Sequence, residues 1–125
     1  MNNNIPLTAI VPEYHSKNLL AKYLFRKRLH IAMKFLLNID RKNNDKSKEL
    51  NVLDLGCGEC LLLDLILANC SLFQHKIALY GCDININLTK IKRNYELAIG
   101  SLLEKLPYPD HSFDVIFCMD VLEHF

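Results

Sequence analysis

The residues best placed to do chemistry lie in one run, Val52-Leu-Asp-Leu-Gly-Cys-Gly-Glu-Cys60. An apolar strand that runs into Gly56-x-Gly58 and then into a helix brings bare backbone close to a ligand, because glycine has no Cβ to obstruct the approach. A dinucleotide fold needs G-x-G-x-x-G, and Leu61 occupies the last glycine position here; a phosphate-loop NTPase needs Gly-Lys-Ser/Thr, which is absent. Asp54, just before the glycines, also argues against a pyrophosphate and suits a ligand carrying an ammonium group and a sulfonium. The second landmark is Asp83, 27 residues after Gly56. At a strand end, a carboxylate can accept hydrogen bonds from both ribose hydroxyls of a nucleoside. Taken alone, Asp83 would serve equally well as a helix N-cap.

Two further groups invite a chemical reading. Cys57-x-x-Cys60 has the spacing of a redox or zinc pair, but it lacks a second ligand pair and a thioredoxin-like setting. Asp120, Glu123 and His124 fall at i, i+3 and i+4, one face of a helix, and two carboxylates with a histidine can hold a metal. Plain helical structure is the simpler account, and no metal is expected.

Elements must position these groups. Leu50 to Leu55 is a short apolar strand ending at glycine, and Leu61 to Ala68 is apolar almost throughout, a buried helix. Ile77 to Cys82 is a second strand closed by Asp83; Leu88 to Tyr95 has helical spacing; Leu97 to Gly100 forms a short third strand. Leu106 to Ser112 is a loop and Phe113 to Met119 a strongly apolar fourth strand. Strands that alternate with helices predict a parallel sheet with right-handed crossovers. Ahead of them, residues 1–14 are polar with Pro6 and Pro12, Lys17 to Leu37 is helical, and Asp40 to Glu49 reads as a charged linker. The chain therefore divides into a lead-in of residues 1–48 and a domain over residues 49–125.

Composition narrows the setting. Half of the 125 residues are hydrophobic, which suits a folded core. No apolar run approaches the ~18 residues of a membrane span, and the N-terminus lacks the basic start and apolar block of a secretory signal. A cytoplasmic protein is expected, with its five cysteines reduced. Net charge is +1, but residues 1–48 carry +7 and residues 49–125 carry −6. The basic segment is a solvated helix face with a lysine-rich linker, or it meets an anionic partner such as RNA.

Four segments taken in order, Leu53 to Gly58, Tyr80 to Ile84, Leu106 to Ile116 and Asp120 to His124, resemble successive motifs of class I S-adenosylmethionine-dependent methyltransferases, and most nearly the type 11 methyltransferase domain group. Asn18 to Leu29 also resembles the lead-in helix of some members. The resemblance implies an α/β, Rossmann-like sheet, with S-adenosyl-L-methionine as cofactor and methyl transfer to an O, N, C or S acceptor. It implies that Asp54, Gly56, Cys57 and Gly58 line the methionine portion, that Asp83 holds the ribose hydroxyls and that Ile84 lies against adenine. Ser101 and Leu102 stand where relatives often carry the aspartate that binds the adenine amino group, and Asp120 would lie near the methionine end. Cys60 replaces a usual third glycine.

The acceptor is not written in the motifs. A small molecule is expected, with RNA as the alternative: small-RNA 2′-O-methyltransferases resemble the chain at Gly56 to Cys60, Gly100-Ser101 and Glu123-His124. The family's sheet normally continues beyond a fourth strand. A sheet that stops there implies a fragment, a chain completed by a partner that covers strand four, or a non-catalytic methyltransferase-like module.

Overall fold

The computed structural model describes residues 19–84, 95–100 and 105–119. The expected helix over Leu88 to Tyr95 lies almost wholly outside them. Helix α1 spans Leu19–Lys42. It contains no glycine or proline, and Leu29, Ala32, Met33, Leu36, Leu37 and Asp40 recur on one buried face at the spacing of an α-helical stripe. Arg41 and Lys42 close its last turn, where positive charge complements the helix dipole.

Four strands follow in a single parallel sheet ordered β3-β2-β1-β4. They are β1 (Leu50–Leu55), β2 (Ile77–Asp83), β3 (Glu96–Ile99) and β4 (Val115–Phe117). Helix α2, Leu61–Ala68, leaves the end of β1. At its far end Asn69 turns its buried side-chain amide onto the Leu65 carbonyl at 2.8 Å, satisfying one of the carbonyls a helix terminus leaves open. Since side chains alternate across a strand, β1 feeds two cores. Val52 joins α1, α2, Leu79, Val115 and Phe117 on one face. Leu53 and Leu55 meet Cys82 on the other, against Tyr80, Leu106, Tyr108 and Phe113. The last face is closed by edge-to-face rings, Tyr108 on Phe113 at 4.9 Å and Tyr80 on Phe113 at 5.2 Å, a geometry set by the aromatic quadrupole.

Two expectations change. The helix continues through Asp40 to Lys42, where polarity had suggested a linker. Asp40 is not solvated: it is 1% exposed and accepts hydrogen bonds from the backbone N–H of Gln74 at 2.8 Å and of His75 at 2.9 Å. The His75 ring lies 2.7 Å away through Nδ1, and its Nε2 is 3.0 Å from the Asp45 carbonyl. The last turn of α1 is thereby tied to the entry of β2. Strand β4 is also shorter than the apolar run Phe113 to Met119, pairing only Val52↔Val115, Leu53↔Ile116 and Asp54↔Phe117. Beside it, Ile31 and Phe35 of α1 with Phe117 and Met119 line an open apolar groove of about 400 Å³, with Arg28 at its rim.

Burial alone would raise the Asp40 carboxyl, but the hydrogen bonds from Gln74 and His75 outweigh it and hold the group below the ordinary carboxylate value. A depressed folded-state value means that this stabilisation is complete at neutral pH and drains away as pH falls below about 4. Replacement Asp40→Ala strands three donors inside the protein and should cost about 3 kcal/mol or more. Urea denaturation at pH 7 and pH 3 measures both effects, and the gap between wild type and variant should narrow at the lower pH.

Candidate cofactor site

The site is built at the carboxyl ends of β1 and β2. Parallel pairing carries Leu50↔Ile77 through to Leu55↔Cys82, and the Cys82 carbonyl then accepts from Gly56 N–H at 2.6 Å and Cys57 N–H at 3.2 Å. The glycine loop thus continues the ladder for two residues past the strand before it turns away.

The turn needs left-handed backbone at three points. Gly56 has φ 79°, Gly58 φ 53° and Cys60 φ 64°. Only glycine enters this region without a Cβ penalty, so Cys60 carries strain at the place where the sequence resemblance implies a third glycine. The Cys57 carbonyl accepts from Cys60 N–H at 2.8 Å, closing the turn, and the Cys60 carbonyl accepts from Asp64 N–H at 2.9 Å as α2 begins. A Cβ on Gly58 would meet nothing within 4 Å. At Gly58 the backbone faces open space.

Asp83 closes the site from the neighbouring strand. Its Oδ2 accepts from Gly58 N–H at 2.7 Å and its Oδ1 from Ile84 N–H at 2.7 Å. Both oxygens are thus aimed by backbone N–H groups, one in the glycine loop and one directly after β2. Next to it Ile84 is 68% exposed, an apolar surface at the end of β2. Asp54 is buried on β1, opposite Gly81 of β2 and Phe117 of β4.

Beneath the loop lies a cluster that sequence reading missed. Tyr95, just before β3, donates its hydroxyl to Asp64 Oδ1 at 3.0 Å and also interacts with the Cys60 sulfur. Burial, then the bond to Asp64, pushes the Tyr95 hydroxyl up, so it stays a donor. The available signal was Asp64 itself, a lone acid in the apolar helix LLLDLILA; its partner, 31 positions away, gave none. The Cys57 and Cys60 sulfurs lie 3.7 Å apart, and Cys60 is fully buried. Their contact, the largest influence on both, favours the thiolate at Cys60 and the thiol at Cys57.

Of the residues singled out by sequence, Asp54, Gly56, Cys57, Gly58, Asp83 and Ile84 sit on adjoining strand ends. Ser101, Leu102, Asp120, Glu123 and His124 lie outside the described residues. Among the described residues no group of three or more His, Cys, Asp or Glu could hold a metal, and no helix is long and apolar enough to cross a membrane.

Comparison with known proteins agrees with this geometry. A family described as "Methyltransferase domain" matches residues 53–125. Uncharacterized protein MJ0638 of Methanocaldococcus jannaschii is 31% identical over 83 residues, which cover 66% of this chain and 33% of that protein. The chain therefore spans about a third of the length of this curated relative. No solved structure matches it significantly.

Two glycines should respond differently to a methyl group. At Gly81 a Cβ would lie 2.7 Å from Leu97 Cδ2, 2.9 Å from Leu63 Cδ1 and 3.0 Å from Cys57 Sγ. Overpacking of this kind costs about 1–3 kcal/mol, so Gly81→Ala should destabilise the fold and disturb the loop through Cys57. Gly58→Ala meets no atoms and should cost only the left-handed penalty, about 1 kcal/mol. Urea midpoints of the two variants should fall in that order.

Proposed function

Since this chain belongs to the methyltransferase domain family, which matches residues 53–125, we propose that it binds S-adenosyl-L-methionine at the ends of β1 and β2 and serves methyl transfer. The observation that carries this reading is the bond from Gly58 N–H to Asp83 Oδ2 at 2.7 Å. It joins a glycine loop that is open at Gly58 to a carboxylate at the neighbouring strand end, the pairing a nucleoside with an amino-acid tail requires.

The residues present fit that ligand. Asp83 would accept from the ribose hydroxyls, and the exposed Ile84 would lie against the adenine. The backbone from Gly56 to Gly58, open at Gly58 and with Cys57 between the glycines, would admit the methionine portion, near which Asp54 brings negative charge. Ser101 and Leu102 are assigned to the adenine edge and Asp120 to the methionine end by their motif positions. The bound cofactor supplies a methyl group already activated on a sulfonium. The chain's own contribution is then alignment and the exclusion of water rather than covalent chemistry.

The acceptor in this reading is a small molecule, and the setting is the cytoplasm. The basic charge of residues 1–48 supports RNA 2′-O-methylation as the second reading. Catalysis in either case involves more than the described strands. The apolar groove between α1 and β4 supports a further segment or partner that covers β4; without it the domain would act as a binding module.

Calorimetric titration with S-adenosylmethionine and S-adenosylhomocysteine tests the cofactor site. Asp83→Ala removes charge-assisted hydrogen bonds, each worth about 1.5–3 kcal/mol, and should weaken binding about 100-fold while the far-ultraviolet circular dichroism is retained. Equal affinity in wild type and variant would remove Asp83 from the site.

A further inference from the structure

Methyl transfer as proposed above uses neither thiol of the cysteine pair in the glycine loop, yet the placement of the pair is specific. Cys57 and Cys60 occupy the first and last positions of the turn closed by the Cys60 N–H bond to the Cys57 carbonyl at 2.8 Å. A turn so closed holds its end Cα atoms within about 7 Å, and a disulfide needs about 4.4–6.8 Å. The sulfurs already touch at 3.7 Å. All five cysteines are accounted for: Cys57, Cys60, Cys70, Cys82 and Cys118 are free thiols.

We propose that Cys57 and Cys60 form a reversible disulfide under peroxide and that this bond switches the glycine loop out of its ligand-binding form. The inference rests on the cofactor reading above for its effect on affinity, but not for the bond itself. Hydrogen peroxide is the oxidant: one sulfur, as thiolate, takes an oxygen from the peroxide, the O–O bond breaks and hydroxide leaves. The other thiol attacks the resulting sulfenic sulfur, the S–S bond forms and a second water is released once protons are exchanged. Two thiols and one peroxide give one disulfide and two waters.

The consequence for the loop follows from what can move. Bond formation draws the sulfurs from 3.7 Å to about 2.05 Å. Cys57 Sγ is seated against β2, 3.0 Å from where a Gly81 Cβ would stand, and Cys60 is enclosed in the core. That packing resists the approach of the sulfurs, so their movement is passed to the backbone of Cys57 and Cys60. The displacement therefore falls on the turn residues Gly58 and Glu59, whose outer side is open at Gly58. Gly58 N–H is drawn from Asp83 Oδ2, and the loop and carboxylate no longer act together.

A Cys70→Ser background makes the test clean, because Cys70 is exposed and shares the tryptic peptide of residues 49–76 with the pair. After peroxide, that peptide should lose two hydrogens and resist alkylation, and dithiothreitol should reverse both changes. Amide exchange at Gly58 should rise at least tenfold in the oxidised protein, and affinity for S-adenosylhomocysteine should fall at least tenfold. In Cys60→Ser, neither exchange nor affinity should respond to peroxide, whatever their starting values. A peptide that remains fully alkylated, or that gains oxygen without losing hydrogen, overturns the disulfide. A disulfide that leaves Gly58 exchange unchanged overturns the switch. Failure of reduced protein to bind S-adenosylhomocysteine would instead count against the cofactor reading, while mass and exchange still decide the disulfide and the loop movement.

Discussion

The pairing of β1 with β2 is the constraint from which the site follows. Six residues are in parallel register, Leu50↔Ile77 to Leu55↔Cys82, and the Cys82 carbonyl extends the ladder to Gly56 and Cys57. A slip of one residue would turn every side chain of β1 to the opposite face, exposing Val52 and Leu53 to the wrong cores. It would also carry Gly58 away from Asp83. The hydrophobic pattern of the strand and the geometry of the glycine loop are thus fixed by the same hydrogen bonds, and neither can be altered alone.

Aspartate serves several purposes in this small domain, and its surroundings decide which. Asp40 is enclosed by two backbone N–H groups and an imidazole and fastens α1 to the approach to β2. Asp64 takes the Tyr95 hydroxyl and links α2 to the start of β3. Asp83 takes two backbone N–H groups but sits at a strand end beside open space. The first two tie helices to the sheet from within the fold, and the third joins the glycine loop to the carboxyl end of β2.

Much of this was legible in the residue order because the signals were local. Leu61 to Ala68 was delimited by the glycine turn before it and the polar residues after it, and the helix occupies that span. The strand ending at Asp83 was bounded in the same way. Asp40 was misleading for a physical reason: it lies among Arg41, Lys42, Asn43 and Asn44, where polarity suggests solvent. Its burial depends on donors at Gln74 and His75, more than thirty positions away. Strand β4 fell short of its apolar run because backbone pairing with β1, not hydrophobicity, sets strand length. The grouping of Asp54, Gly56, Gly58 and Asp83 at adjoining strand ends was legible from type and spacing, but the place of Tyr95 beneath the loop was not, because it depends on the folded sheet.

Cys60 shows how one departure from a pattern can be accommodated. Left-handed backbone at this position costs a side chain about 1–2 kcal/mol, and φ 64° leaves no way around that cost. The sulfur is wholly buried and joins the core shared by α1, α2 and the sheet, where a small soft side chain recovers part of the loss. Glycine would relieve the backbone but leave a gap between Cys57 and Tyr95. The strain is thus held in place by packing from three elements, and it is located at the hinge between β1 and α2. A loop under such tension, closed by one hydrogen bond and anchored by one carboxylate, is the part of this domain that a small covalent change can move most readily.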